Sequence, residues 1–367
     1  MRKLATIRVI SEINPIKGKD RVEMATVDGW TCMVSKKDGF KKGNLCIFCE
    51  PDSVFPQTEQ WDFLKKYNYR IKTQRFKDGD GVTIFSQGLV LPIEILPTSH
   101  NASVGDDVTS LLNITQYEPP MDKDTEQTVS KSNFLNRFKW YRKITKKKFS
   151  NKFPEFVSKA DEERIQNIPN IITEDVVWTA TENVDGQSGT FALERKPRRW
   201  WQFKDHYEFY VCSRNFRKPV KDSSSYWKCA EKYDVENILK SILEKRKDLE
   251  FIAFQGECIG PNIQGNKYAK KDYELKLFNI RIPGKRLGTL EAMDFAKLFG
   301  FDDKIEFVPV VYPRIEIKNL TVQNILGLSN GRSKLYRCNR KGLVFRSQDG
   351  KLSFKAVSPL FLAANNE

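Results

Sequence analysis

Between Leu4 and Leu91 apolar and polar residues alternate in short runs separated by turn residues: Leu4 to Ile13, Arg21 to Val27, Trp30 to Ser35, Asn44 to Glu50 and Gly81 to Leu91. A period of two is that of a half-buried strand, and runs this short leave little room for an amphipathic helix. Asp28-Gly29 stands between two of the runs and marks a hairpin, because a tight two-residue turn needs residues that tolerate positive φ. Four or five strands of this length predict a small closed barrel over residues 1 to 118. The OB fold is the nucleic-acid-binding example, and other small barrels would share the pattern.

The alternation stops at Pro119-Pro120. A polar stretch follows through Ser132, and then basic and aromatic residues interleave from Phe134 to Lys148. Residues 119 to 152 read as a basic, aromatic-containing linker. Lys139, Arg142, Lys143, Lys146, Lys147 and Lys148 are its candidate RNA-binding residues, able to neutralise phosphates while neighbouring rings stack on bases. An exposed helix whose aromatics pack down on a domain would show the same pattern.

The whole chain of 367 residues carries 62 Lys+Arg against 47 Asp+Glu, a net charge of +15, which favours an anionic polymer or polyphosphate as partner. A hydrophobic content of 40% and aromatics at 12% exclude a disordered chain. No apolar run approaches the roughly 20 residues needed to span a bilayer, and the start reads as a strand rather than a signal peptide. The seven cysteines are scattered among apolar neighbours, as suits buried thiols in a reducing compartment, whether cytoplasm, nucleus or organelle matrix. Cys46 and Cys49 have a metal-like spacing but no second pair, and only His100 and His206 could help, so zinc is not expected.

Residues 153 to 367 mix strand-like runs with helical candidates at Ser223 to Lys247 and Thr289 to Phe299, without a regular βαβ rhythm. That mixture predicts an α+β domain with antiparallel sheets.

Chemistry-bearing residues recur through this second part in a fixed order. Thr181-Glu182-Asn183-Val184-Asp185-Gly186 follows a strand-like run. Val211-Cys212-Ser213-Arg214-Asn215 comes next, then Phe254-Gln255-Gly256-Glu257 and Leu277-Phe278-Asn279-Ile280. The series closes with Lys341-Gly342-Leu343-Val344-Phe345-Arg346 and Ser353-Phe354-Lys355-Ala356-Val357. Singly, each has an ordinary reading as a turn, an ion pair or a core residue. As an ordered set they resemble the ATP-dependent RNA ligases of the covalent nucleotidyltransferase superfamily, across essentially all of 153 to 367. The group with an N-terminal OB domain is the most similar, since Asp161-Glu162-Glu163-Arg164-Ile165-Gln166-Asn167 and Ser86-Gln87-Gly88-Leu89 extend the likeness.

The resemblance implies an N-terminal OB-like barrel followed by an antiparallel-sheet nucleotidyltransferase domain. It also implies ATP and a divalent Mg or Mn ion, and RNA with 5′-phosphate ends as substrate. The intact family activity joins RNA strands through a lysyl-AMP intermediate. Carried over, Glu182 would read the adenine edge and Gly186 would let the backbone approach a phosphate. Arg214 would contact ribose or phosphate, Glu257 the ribose hydroxyls, Phe278 would stack on the purine, and Lys355 would hold the α-phosphate.

Two positions depart from the pattern. Asn183 stands where the family has its nucleophilic lysine, and an amide nitrogen, its lone pair delocalised into the carbonyl, cannot attack a phosphate. Lys341 stands where the family has a glutamate that positions the metal, and an ammonium repels that metal. A protein defective in self-adenylylation is therefore expected, with metal dependence in doubt. It would be either an RNA ligase in inactivated form or a pseudoligase serving as RNA-binding scaffold or nucleotide sensor.

Overall fold

The structure is a computed structural model that describes residues 3–97, 101–117, 150–197 and 205–365. Lys139, Arg142, Lys143, Lys146, Lys147 and Lys148 of the expected linker lie outside the described residues. Among the described residues no helix is long and apolar enough to cross a membrane.

The N-terminal part is a curled antiparallel sheet. Its strands run Trp30–Ser35, Lys19–Val27, Ala5–Ile16, Leu45–Cys49 and Leu89–Leu91 in spatial order. Ala5–Ile16 serves two neighbours, pairing Leu45–Cys49 through Ala5 to Val9 and Lys19–Val27 from Ile10 onward, with a register shift between Ile10 and Glu12. A bulge at that point bends the strand and steepens its twist, so the sheet curls. The two ends meet where the Gln87 amide donates to the Thr31 carbonyl at 2.8 Å and the Met33 amide donates to Ser86 Oγ at 2.9 Å. This is the expected OB-like barrel. The predicted single run from Gly81 to Leu91 is instead two strands, Thr83–Ser86 and Leu89–Leu91. Between them Gly88 has a φ of +96°, and a Cβ there would lie 2.7 Å from the Cys49 carbonyl oxygen, so the chain turns where only glycine fits.

Cys46 and Phe48 pack with Trp30, Cys32 and Val90, whereas Ile47 and Cys49 pack with Phe55, Trp61 and Val108 on the other face. Residues three apart on a strand point to opposite sides. Cys46 and Cys49 therefore belong to separate cores, and burial pushes the Cys46 thiol up to about 12.

The C-terminal part holds two antiparallel sheets. The first runs Val310–Ile315, Trp178–Glu182, Gly342–Ser347, Ser353–Val357, and the second runs His206–Cys212, Gln187–Lys196, Phe251–Ile259, Glu274–Ile282, Lys285–Arg286. The α+β architecture is as expected. Helices Ser225–Lys232, Val235–Lys245 and Thr289–Phe299 supply Trp227, Leu239, Leu243 and Ala296 to a core shared with Phe191, Ile252 and Phe254 of the larger sheet. The expected single helix from Ser223 to Lys247 breaks at Asp234, whose φ of +50° leaves the right-handed helical region. The smaller sheet packs Trp178, Phe345 and Phe354 against Ile325 and Leu326 of helix Val322–Ser329.

Residues 161 to 168 join the two parts. The Asn167 side-chain oxygen accepts from Trp30 Nε1 at 2.8 Å and from both terminal nitrogens of Arg8 at 3.1 Å. Its nitrogen donates to Glu50 and to Glu163, each at 2.7 Å. Beside it the Gly29 amide donates to the Gln166 carbonyl at 3.1 Å, and a Cβ at Gly29 would lie 2.7 Å from Gln166 Cα. The hairpin predicted at Asp28-Gly29 thus seats the barrel on the second part as well as turning the chain.

Candidate active site

The strands Trp178–Glu182 and Gln187–Lys196 belong to different sheets, and the chain crosses between them through Asn183 to Gly186. The crossing is held on both sides. The Asn183 amide donates to the Gly342 carbonyl of the smaller sheet at 3.0 Å, and the Asp185 amide donates to the Tyr268 hydroxyl at 2.8 Å. Gly186 lies against the larger sheet, where a Cβ would stand 2.4 Å from the Cys258 carbonyl oxygen and 2.9 Å from Glu257 Cγ. A larger residue would push the crossing out of the cleft.

Asp185 is 2% exposed, and both its oxygens carry an ammonium: Lys341 Nζ at 2.7 Å and Lys267 Nζ at 2.6 Å. Burial alone would raise its pKa, but Lys341 first and Lys267 second outweigh burial and hold the carboxyl below its usual range. Lys341 immediately precedes Gly342, so the strand that receives the Asn183 amide also delivers the cation. Glu257, half-buried on Phe251–Ile259, has the opposite fate. Burial pushes it up to about 8, with Asp185 adding to the rise while Lys341 and Arg214 pull against it.

The second pair of cations shares a different carboxylate. Asp161 accepts from Lys355 Nζ at 3.0 Å through Oδ1 and from Arg214 through Oδ2. Burial raises its pKa, but Lys355 and then Arg214 dominate and bring it down to about 2. The neighbouring Glu162 takes Arg286 and Arg346, both at 3.0 Å, and the Ser353 hydroxyl. The Lys355 amide donates to the Glu163 carbonyl at 2.8 Å. The joining segment is thus laid along the strand that carries Lys355. A cavity of about 510 Å³ opens there, bounded by Lys3, Thr6 and Arg8 of the barrel and by Asp161, Asn167 and Lys355 opposite.

Of the residues singled out in the sequence, Asn183, Gly186, Glu257 and Lys341 meet around Asp185, and Arg214 and Lys355 meet around Asp161. Phe278 is half-buried and packs with Val184, Ile259, Tyr268 and Val308, in contact with the crossing segment. Glu182 is buried, its carboxylate held by the Ser333 hydroxyl and, at 2.9 Å, by the Lys334 amide. It braces the loop beyond helix Val322–Ser329. Asp161, Asp185 and Lys267 were not picked out as site residues. Asp185 stands inside the Asn183-Val184-Asp185-Gly186 run already singled out, and the only signals for the other two are an acidic triplet, Asp161-Glu162-Glu163, on a basic chain and a lysine in Asn266-Lys267-Tyr268.

Comparison with known proteins bears on the family and the fold. A family model described as RNA ligase matches residues 176–357, and one described as an OB-fold domain matches residues 4–93. Among solved structures the chain is similar to Naegleria gruberi RNA ligase with PPi. The identity is 30% and the TM-score 0.80, covering 100% of this chain and 99% of that one. It is similar also to a lysine-to-methionine mutant of that ligase with AMP and Mn, at 31% identity and TM-score 0.78. A lysine-to-alanine mutant with ATP and Mn matches at 31% and 0.78, and both mutants cover 99% of each chain. No curated protein sequence matches the chain.

Proposed function

This chain belongs to the RNA ligase family, and on that footing we propose that it binds ATP or AMP and 5′-phosphorylated RNA ends without forming the lysyl-nucleotide intermediate. One observation carries this reading. Asn183 lies in the crossing between the two sheets, beside Glu257, Phe278 and the Asp185 cluster, where the resemblance calls for the attacking amine. Its amide has no nucleophilic lone pair, while the surrounding walls keep an aromatic ring, carboxylates and four cations. Nucleotide retention without turnover is the expected behaviour of such a cleft. Two lysine mutants of the Naegleria gruberi ligase were solved with AMP or ATP, so that relative holds nucleotide with a lysine replaced. The division into a barrel over 1 to 118, a linker over 119 to 152 and a catalytic-type domain over 153 to 367 belongs to the same proposal. The basic linker and the barrel are its RNA-facing parts.

The test uses radiolabelled ATP and a nicked or 5′-phosphorylated RNA. The natural chain is expected to retain no label after denaturation and to seal nothing. The double variant Asn183→Lys with Lys341→Glu is expected to acquire a covalent label at residue 183. A label on the natural chain, wherever it maps, overturns the reading. Label and sealing in the double variant identify a ligase disabled at two positions, whereas label without sealing points to the scaffold or sensor role.

A further inference from the structure

We propose that Lys341 and Lys267, anchored on Asp185, form a metal-independent phosphate-binding centre, so that this chain captures polyphosphate with its own ammonium groups rather than through a divalent cation. The proposal rests on the nucleotide-binding reading above and assigns to that cleft the means by which the phosphates are held.

The argument begins with the donor set. A divalent cation of the Mg or Mn type asks for carboxylate, carbonyl or water oxygens. The carboxylate that lines the crossing, Asp185, already holds an ammonium on each oxygen, at 2.7 and 2.6 Å. A divalent ion entering there would have to displace at least one of them and then sit beside two like charges. Among the described residues no three His, Cys, Asp or Glu side chains come together in a way that could hold a metal ion. The residues present do not fit the metal.

They do fit an anion. Two lysines and one aspartate leave the cluster with a net charge of +1, in a place where the neighbouring Glu257 is itself pushed towards its neutral form. Asp185 is almost fully buried, but the Lys341 and Lys267 side chains keep 28% and 24% of their exposure, so the cationic face is the one a ligand meets. Each ammonium has three donors, and Asp185 orients both groups from behind. The Lys267 ammonium nitrogen also lies 4.5 Å from the centre of the Phe361 ring, a cation–π contact that helps to fix its position. A preoriented pair of ammonium groups beside a half-buried aromatic, Phe278, is chemistry for a nucleoside polyphosphate.

The experiment measures ATP binding to the full chain by calorimetry in EDTA and again in excess magnesium. Binding is expected in EDTA with an affinity within about threefold of that in magnesium. Lys341→Met, which removes the charge without adding a carboxylate, is expected to weaken EDTA binding roughly 10- to 100-fold. Lys341→Glu is expected to bind only when magnesium or manganese is present, with its melting curve checked to confirm folding. If the natural chain binds ATP in magnesium and not in EDTA, the centre is overturned while the nucleotide-binding reading survives. If Lys341→Met binds ATP in EDTA as tightly as the natural chain, the centre is overturned as well. Failure to bind ATP under either condition removes the reading and this inference together.

Discussion

Lys341 Nζ stands 2.7 Å from Asp185 Oδ1, joining a strand start to a sheet crossing that is 156 residues away in sequence. The pair anchors the cleft floor, with Lys267 on the other oxygen. Asp185→Asn would leave two ammonium groups facing each other over a neutral amide. A loss of about 3 kcal/mol is expected, read as a lowered midpoint in denaturant at pH 7. Asp185 is held below its usual range, so the stability it contributes is present above the unfolded pKa and lost as pH falls through the folded one. The difference between the natural chain and Asp185→Asn should therefore shrink below about pH 4.

Asp161 occupies Lys355, which the ligase resemblance directs to the α-phosphate, and Arg214, which it directs to ribose or phosphate. An incoming phosphate has to compete with it for Lys355 and Arg214. Asp161→Asn should raise affinity for ATP roughly 3- to 10-fold, measured by calorimetry at low salt, with the gain falling as salt rises. Its pKa of about 2 keeps this carboxylate charged throughout the neutral range, so the gain should not vary between pH 5 and 8. An unchanged affinity would show that Asp161 stays clear of the bound phosphate.

Glu257 predicts the opposite pH behaviour. Its folded pKa of about 8 lies above the ordinary 4.5, so its contribution to stability is fully present below about pH 4.5 and lost as pH rises through about 8. Glu257→Gln keeps the shape without the titration. The variant should be more stable than the natural chain by roughly 1–3 kcal/mol at pH 8.5, with the gap closing towards pH 5. Thermal melts across that range would check it.

Asn167 carries the junction. Its amide makes five hydrogen bonds, three accepted and two donated, to groups from both parts of the molecule. Asn167→Ala removes the side-chain acceptor of the Trp30 indole N–H and one of the donors to Glu50, which keeps Arg8, at a half-buried site. A cost of about 1–3 kcal/mol is expected, together with faster proteolysis between the two parts, and Asn167→Asp should be intermediate. Equal protease resistance in the Ala variant would mean that the Gly29–Gln166 contact alone holds the barrel.

Much of this could be read along the chain. The two-residue alternation from Leu4 onward marked strands because half-buried strands impose that period on whatever residues fill them. Asp28-Gly29 marked a turn because few other pairs accept its dihedrals. Asn183 and Lys341 drew notice because they sit inside ordered motifs that resemble those of the ligases. The break at Asp234 was invisible, since the apolar spacing continues through it and only packing against the larger sheet requires two helices there. The Glu182 carboxylate holds Ser333 and Lys334 of a loop more than 150 residues away, a contact that no local pattern announces.

By itself the amino-acid order determined most element types and the succession of a barrel and an α+β ligase-type part, because each depends on the chemistry or period of residues close together in the chain. Which cation meets which carboxylate was decided only by the tertiary structure. Asp185 holds Lys341 and Lys267, and Asp161 holds Lys355 and Arg214, because two sheets and a joining segment bring distant residues within about 3 Å. Ion pairs of that kind are set by distances in space, and sequence separation carries almost no information about them.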